Sequence, residues 1–208
     1  HQHILGMIQE FSLCHNGFRM LFLKKKSIYI NIRFSTTDNI FVLHSILSIF
    51  FSMGKKLFCT FVDFKRAFDT IWRTGLWQKL QKSHITGKIF TVIYNMYQNI
   101  KTCVRYGNQS STFFNCGVGV RQGENLSPFL FSVFLNDLEN FFVENDVKDL
   151  EYISKNCEEL LQVLVKIFVI LYADDTVIMS DSKEELQHAL DVFEQYCNIW
   201  KLQVNIDK

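Results

Sequence analysis

Three observations predict an α+β fold with an antiparallel sheet backed by helices. Short β-branched and aromatic runs occur in pairs separated by tight turns, at 102–115 and 167–179. Longer stretches with apolar residues at helical spacing lie between them. The resulting order is strand, helix, hairpin, helix, hairpin, helix, strand, which suits a sheet covered on one face rather than a parallel α/β sheet. The 208 residues are 48% hydrophobic and include 21 Phe, enough to fill a core, and one Pro with nine Gly argues against disorder.

In chain order, residues 1–15 show little pattern. Ser35 or Thr36 can cap a helix running to about Met53, with Ile40, Leu43, His44, Leu47, Phe50 and Phe51 on one face. His44 there reads as a packed or hydrogen-bonded histidine rather than a ligand. Gly54-Lys55-Lys56 turns into a strand, Leu57 to Val62, closed by Asp63. A helix follows, directs Ala67, Phe68, Ile71 and Trp72 inward and ends near Gly75, with Leu76 to Gln81 continuing helically. Lys88 to Ile100 is a second helix with a buried stripe of Ile89, Val92, Ile93, Met96 and Tyr97.

Gly107-Asn108 joins two strands in a hairpin. Ser127 stands at a helix N-cap with Pro128 in its first position, and Leu130, Phe131, Phe134, Leu138, Phe141 and Phe142 form its apolar face. Residues 143–160 are a charged connection. Ser182-x-x-Glu185 is a capping box whose helix buries Leu186, Ala189, Leu190, Phe193, Cys197 and Trp200. Leu202 to Ile206 alternates as a final strand.

The longest apolar run, Leu160 to Ala173, is broken by Lys166 and is too short to span a bilayer. Six Cys form no C-x-x-C pair, which disfavours a zinc site; they read as buried, reduced thiols of an intracellular protein. His1 in first position places the start inside a longer protein. Residues 1–106 carry 15 Lys and Arg against four acids, residues 107–208 seven against 17. The basic half can follow a phosphate backbone, or simply solvate helix faces.

The chemistry concentrates at Tyr172-Ala173-Asp174-Asp175, a turn between Ile167–Leu171 and Thr176–Met179. Asp is a common turn residue, so a surface hairpin is the plain reading. Paired carboxylates on an apolar hairpin also suit a hard cation such as Mg²⁺. A third carboxylate at a strand end, Asp63, strengthens the metal reading. Between them lies Gly119-Val120-Arg121-Gln122-Gly123-Glu124-Asn125-Leu126-Ser127-Pro128.

Taken in order, Asp63-Phe64-x-x-Ala67-Phe68-Asp69, Arg121-Gln122-Gly123 with Ser127-Pro128, and Tyr172-Ala173-Asp174-Asp175 resemble a reverse transcriptase, closest to that of non-long-terminal-repeat, LINE-type retrotransposons. The resemblance runs from about Asn16 to the last residue. It implies a polymerase palm, with an antiparallel sheet backed by helices, plus partial fingers and no thumb. Residues 1–56 and about 76–118 would be fingers-like, and 57–75 with 119–208 palm.

The implied activity is RNA-directed DNA synthesis with two Mg²⁺ ions, Mn²⁺ serving as a substitute. A primer 3′-hydroxyl attacks a deoxynucleoside triphosphate on an RNA template. Asp63, Asp174 and Asp175 would be catalytic metal ligands, and Phe64 would lend its backbone carbonyl. Phe68 would be the aromatic wall that rejects a 2′-hydroxyl, its plainer reading being core packing. Gln122 would touch the nucleotide and Gly123 admit close approach. Arg121 would pair with phosphate or a core carboxylate. Tyr172 would pack near the primer end, or be an ordinary strand aromatic. Lys208 falls where the family carries a lysine near the phosphates. Asp69 and Asp137 read as caps or ion-pair partners.

The implied partners are an RNA template, a DNA primer, deoxynucleoside triphosphates and the remainder of a retrotransposon polyprotein, with no membrane and work in the nucleus. The sequence departs from the family at residues 20–34, which separate Gly17-Phe18-Arg19 from Ser35-Thr36-Thr37-Asp38 where the family has only a few residues. They read as a loop, a translated intron or the scar of a frameshift. The rival reading is a catalytically silent relic that folds around the palm and at most binds nucleic acid weakly.

Overall fold

The computed structural model describes residues 9–10, 36–148, 150, 169–172 and 175–205. Their elements are β1 (Gln9–Glu10), α1 (Thr36–Ser52), β2 (Phe58–Asp63), α2 (Ala67–Thr70), α3 (Arg73–Lys82), α4 (Gly87–Gln98), β3 (Lys101–Thr102), β4 (Arg105–Tyr106), β5 (Gln109–Ser110), β6 (Phe114–Asn115), α5 (Leu126–Leu135), α6 (Leu138–Glu144), β7 (Val169–Tyr172), β8 (Asp175–Ser180) and α7 (Lys183–Trp200). The principal sheet has the order β1-β2-β8-β7, all antiparallel. The predicted α+β architecture is therefore the observed one.

The two faces of this sheet have different partners. Phe58, Val62 and Ile178 join the main core with α2 to α7, in which Leu130, Phe131, Phe134, Phe142 and Tyr196 are inaccessible to solvent. Side chains of this size each contribute about 1.5–3 kcal/mol on full burial. On the other face Cys59 and Met179 pack with Ile46 and Phe50 of α1 and with Leu150. This second face is only partly covered, since Phe61 in β2 is 42% exposed.

Two helix boundaries follow their sequence signals closely. Ser182 accepts from the Glu185 backbone N–H at 3.2 Å, so half of the expected capping box is present. The Glu185 carboxylate binds Lys148 rather than returning to the cap. The Gly107-Asn108 turn joins β4 to β5 with φ of 58° at Gly107, the sign a type II′ turn needs at its first position.

Other expectations are corrected. The buried side of α1 is rotated: Ser45, Ile46 and Phe50 are buried, whereas Ile40, Phe51 and His44 are exposed. The helix is apolar nearly all round, so periodicity alone did not select the covered face. Gly75 does not end a helix but lies inside α3, where an added Cβ would stand 2.7 Å from the Trp72 ring and 3.2 Å from Trp200. The break falls earlier, at Ile71-Trp72. Of the α4 stripe only Ile93 and Tyr97 are buried; Ile89, Val92 and Met96 are exposed.

Ser127 is the second residue of α5, not its cap, and its hydroxyl donates to the Arg121 carbonyl. Pro128 still lies in the first turn, where its missing N–H costs nothing. The long apolar helix is two, α5 and α6, divided at Asn136-Asp137. Among the described residues the final strand is one bridge, Phe64 with Val204. Of the cysteines, Cys59 and Cys197 are buried, Cys103 and Cys116 only half-buried, and Cys14 and Cys157 lie outside the described residues. No helix among the described residues is long and apolar enough to cross a membrane.

Candidate active site

β2 and β8 run in continuous register from Phe58–Ser180 to Asp63–Asp175. Directly opposed residues lie on the same face of an antiparallel pair, so positions 63 and 175 share a face at the strand ends. Their pairing is of the non-hydrogen-bonded kind. The Asp63 carbonyl accepts from the Asn205 N–H at 2.8 Å, and so points to the edge away from β8. In such pairs the Cα atoms approach to about 4.5 Å and side chains are closest. Two carboxylates placed there repel unless a cation lies between them. The positions therefore fit a divalent metal.

The β7–β8 hairpin closes through a two-residue loop, since Tyr172 pairs with Asp175. Asp175 is thus the first residue of β8 rather than part of the turn. Ala173 and Asp174, the loop itself, lie outside the described residues, as does Lys208. Among the described residues no three His, Cys, Asp or Glu side chains converge.

Asp63 is held from a second direction. Asn205 Nδ2 donates to Asp63 Oδ2 at 3.0 Å, and the Lys65 N–H donates to the Gln203 carbonyl at 2.7 Å. These bonds flank the Phe64–Val204 bridge, so Phe64's own C=O points to the β8 side. The Phe64 ring serves the core, edge-on to Phe131 at 5.9 Å. Asn205 was missed in the sequence because an alternating apolar–polar run says nothing of which polar position meets a carboxylate.

Phe68 is half-buried, with its ring 5.3 Å from that of Phe131 and its carbonyl accepting from the Val120 N–H at 2.7 Å. It therefore packs against the core, as the plainer reading expects. The loop after Gly119 is docked on the short helix α2. Gly119 has φ of 75°, and a Cβ there would overlap the Asp69 carbonyl. Gln122 Nε2 donates to Asp69 Oδ1 at 2.8 Å, so Asp69 acts as an orienting acceptor rather than a helix cap. Gly123 has φ of 82° with open space where a side chain would start. Arg121 is exposed; it pairs with Glu124 at 2.8 Å and donates to the Met96 carbonyl at 3.2 Å. Its carboxylate partner is therefore a half-buried residue of the same loop.

Two basic residues without a sequence signal hold this frame. Arg73 donates to the carbonyls of Gly119, Cys116 and Val118 at 2.8–3.0 Å and of Tyr97 at 3.1 Å, fixing the loop against the end of α4. Lys79 is buried, and its ammonium contacts Asp137, the Tyr196 hydroxyl and the Phe134 carbonyl, each at 2.5 Å, beneath the Trp200 ring. Asp137 is thus the expected ion-pair partner. Burial lowers the Lys79 pKa to about 8, although Asp137 opposes the shift.

Comparison with known proteins agrees with this arrangement. The chain is 27% identical over 154 residues to the RNA-directed DNA polymerase from mobile element jockey of Drosophila melanogaster, covering 71% of this chain and 15% of that protein. It is 26% identical over 140 residues to the Pol polyprotein from type-1 retrotransposable element R2 of Nasonia vitripennis, covering 67% and 12%. The chain thus spans about one seventh of the length of these two relatives. Apo telomerase from Candida tropicalis, truncated from its C-terminal domain, shares the fold with a TM-score of 0.59 at 16% identity, over 84% of this chain and 34% of that one. The family model described as reverse transcriptase (RNA-dependent DNA polymerase) matches residues 17–208. With a match over nearly its whole length, the chain belongs to the reverse transcriptase family.

Proposed function

We propose that this chain is the palm, with part of the fingers, of an RNA-directed DNA polymerase from a non-long-terminal-repeat retrotransposon. The observation that carries the reading is the opposition of Asp63 and Asp175 at the open ends of β2 and β8. Asp63, Asp175 and Asp174, with the Phe64 carbonyl, would hold two Mg²⁺ ions. When bound, the ions supply charge that acidifies a primer 3′-hydroxyl and stabilises the departing pyrophosphate.

The chain's own residues have distinct tasks in this reading. Asn205 fixes the Asp63 carboxylate through Oδ2. Asp69 orients the Gln122 amide beside the incoming deoxynucleoside triphosphate, and Gly123 admits its backbone. Phe68 offers the aromatic wall beneath the sugar, and Tyr172 lies toward the primer end. Arg121 and Lys208 would serve the phosphates, Arg121 by exchanging Glu124 for a stronger anion. Residues 57–75 and 119–208 form the palm in this division, and 1–56 with about 76–118 the fingers-like part. The template would be RNA and the primer DNA, in the nucleus, with the rest of a retrotransposon polyprotein.

Primer extension on an RNA template with Mg²⁺ or Mn²⁺, run beside Asp63→Ala, tests the reading. Extension by the chain that the variant loses is the expected result. A folded chain that extends no primer, even when supplied with the remaining fingers and thumb of a relative, would overturn it and leave a silent relic.

A further inference from the structure

We infer that the Arg66 side chain is a phosphate-binding group of the candidate site, taking the two outer phosphates of the incoming deoxynucleoside triphosphate. Among the described residues four non-glycines have positive φ: Arg66, His84, Asp146 and Lys201. The last three stand just past the ends of α3, α6 and α7, where a left-handed residue ordinarily closes a helix. Arg66 does not. It precedes α2, with φ of 53° and ψ of 48°, and its side chain caps nothing. Glycine adopts this conformation without steric cost, whereas a Cβ opposes it.

Backbone bonds impose the turn from both sides. The Lys65 N–H donates to the Gln203 carbonyl at 2.7 Å. The Arg66 carbonyl accepts from the Asp69 N–H at 2.9 Å and from the Thr70 N–H and hydroxyl, each at 3.1 Å. Strain of this kind persists where the surroundings over-determine it, and such sites are often functional. The turn itself has no use for a long cation. Arg66 is exposed, and among the described residues no hydrogen bond or ion pair holds its guanidinium. Carboxylates lie three residues away on either side, yet each has another partner: Asn205 Nδ2 donates to Asp63 and Gln122 Nε2 to Asp69. A guanidinium on a fixed backbone, with no anion of its own, is open to one from solution.

The position of the turn selects that anion. Arg66 lies between Asp63, which opposes Asp175, and Phe68. Asp69, whose N–H closes the turn, also orients Gln122. In the polymerase reading, on which this role rests, the reacting phosphate lies at Asp63 and Asp175 and the sugar over Phe68. The outer phosphates carry most of the nucleotide's charge, and a planar guanidinium can bind two of their oxygens at once. Arg121 is less free for this task, being paired with Glu124.

The test is isothermal titration calorimetry of the 208-residue chain with dTTP and Mg²⁺, with no primer present, so that binding is read without chemistry. Arg66→Gln keeps the left-handed turn and removes the charge. It is expected to weaken dTTP binding roughly 10- to 100-fold. Binding of dTMP, which lacks the outer phosphates, should change by less than about twofold. Arg66→Lys, which keeps the charge but not the fork, should fall between. Arg66→Gly should weaken dTTP as much as Arg66→Gln does, yet melt at or above the parent's temperature because the turn is relieved. Lys55→Gln removes the same charge at the opposite end of β2, and should bind dTTP within about twofold of the parent.

The assignment is overturned if Arg66→Gln binds dTTP like the parent, if dTMP or Lys55→Gln loses as much, or if the parent binds no dTTP. It is also overturned if Arg66→Gln spares dTTP and weakens oligo(dT) instead, which would place the side chain on a strand backbone. Primer extension separates this role from the polymerase reading. A chain that extends primers with the same KM for dTTP in parent and Arg66→Gln keeps that reading and loses this role. A chain that binds dTTP through Arg66 but extends no primer keeps this role and loses that reading.

Discussion

Asn205 reaches across 142 residues of sequence to donate from Nδ2 to Oδ2 of Asp63 at 3.0 Å. The same residue gives its backbone N–H to the Asp63 carbonyl at 2.8 Å, so one side chain and one peptide fix the strand end together. A hydrogen bond to a charged acceptor contributes about 1.5–3 kcal/mol. Asn205→Ala keeps the backbone bond and removes the side-chain one. It is expected to raise the Mg²⁺ concentration for half-maximal extension roughly 10- to 100-fold, the usual effect of removing a metal ligand's support. A metal titration of extension rate checks this. A merely structural role would lower the melting temperature and leave the metal dependence unchanged.

The opposition of Asp63 and Asp175 has its own consequence in the absence of metal. Like charges directly opposed across a strand pair destabilise it by up to about 1 kcal/mol. Asp175→Asn removes that repulsion, so in EDTA the variant is expected to melt about 2–4 °C above the parent. Added Mg²⁺ or Mn²⁺ should raise the parent's melting temperature by binding the native state, and should not raise the variant's. Differential scanning fluorimetry over both conditions reads the crossing. A variant less stable than the parent in EDTA would show that the two carboxylates do not oppose each other in solution.

The elements most legible in the sequence were those marked by a change of residue type. Asp63 closes an apolar strand, Ser182 opens a helix, and Gly107-Asn108 divides a ribbon; each is a local choice made within a few residues. The strand end at Asp63 was legible for the same reason, and the register places Asp63 opposite Asp175. What sequence did not reveal was which face of an apolar helix would be covered. In α1 and α4 nearly every turn could pack, and tertiary contacts chose Ile46 and Phe50, Ile93 and Tyr97. Arg73 and Lys79 were invisible because their partners are carbonyls, rings and the Asp137 carboxylate, brought from 24 to 121 residues away. Gly75 was read as a helix end, whereas its missing Cβ makes room for Trp72 and Trp200.

Gly119 offers a test of the loop that carries Gln122. Its φ of 75° is left-handed, and an added methyl would overlap the carbonyl oxygens of Asp69 and Phe68, which are backbone atoms with little freedom to move. The left-handed conformation alone costs an alanine about 1–2 kcal/mol, and displaced backbone adds to it. Gly119→Ala is expected to lose about 2–4 kcal/mol in urea denaturation and to weaken nucleotide affinity, because Gln122 is three residues further on. Gly123→Ala meets open space, so it should lose only the conformational part. Equal losses for both would show that the α2 contact does not restrain the loop.

Lys79 gives stability a dependence on pH whose direction can be worked out. Burial holds its folded pKa at about 8, below the ordinary 10.5, with Asp137 opposing the shift and Lys82 adding to it. Between about pH 8 and 10.5 the unfolded chain therefore binds more protons at this residue than the native one. Stability from this group rises with pH through that window. Three other groups act in the opposite sense. Burial raises Cys59 to about 11 and Cys197 to about 12, and with Asp137 pushes Tyr196 well above 10, so these groups lose native stability as their unfolded counterparts ionise from about pH 9 upward. The quantity to follow is the difference in unfolding free energy between the parent and Lys79→Met, which cancels the thiols. That difference is expected to move in the parent's favour from pH 7.5 to 9.5. A flat difference would mean that the ammonium stays charged under Trp200. At pH 7, Lys79→Met should cost little, because the Asp137 side chain is 34% exposed and can be hydrated. Asp137→Ala should cost about 3 kcal/mol, since it leaves a buried ammonium without its counter-ion.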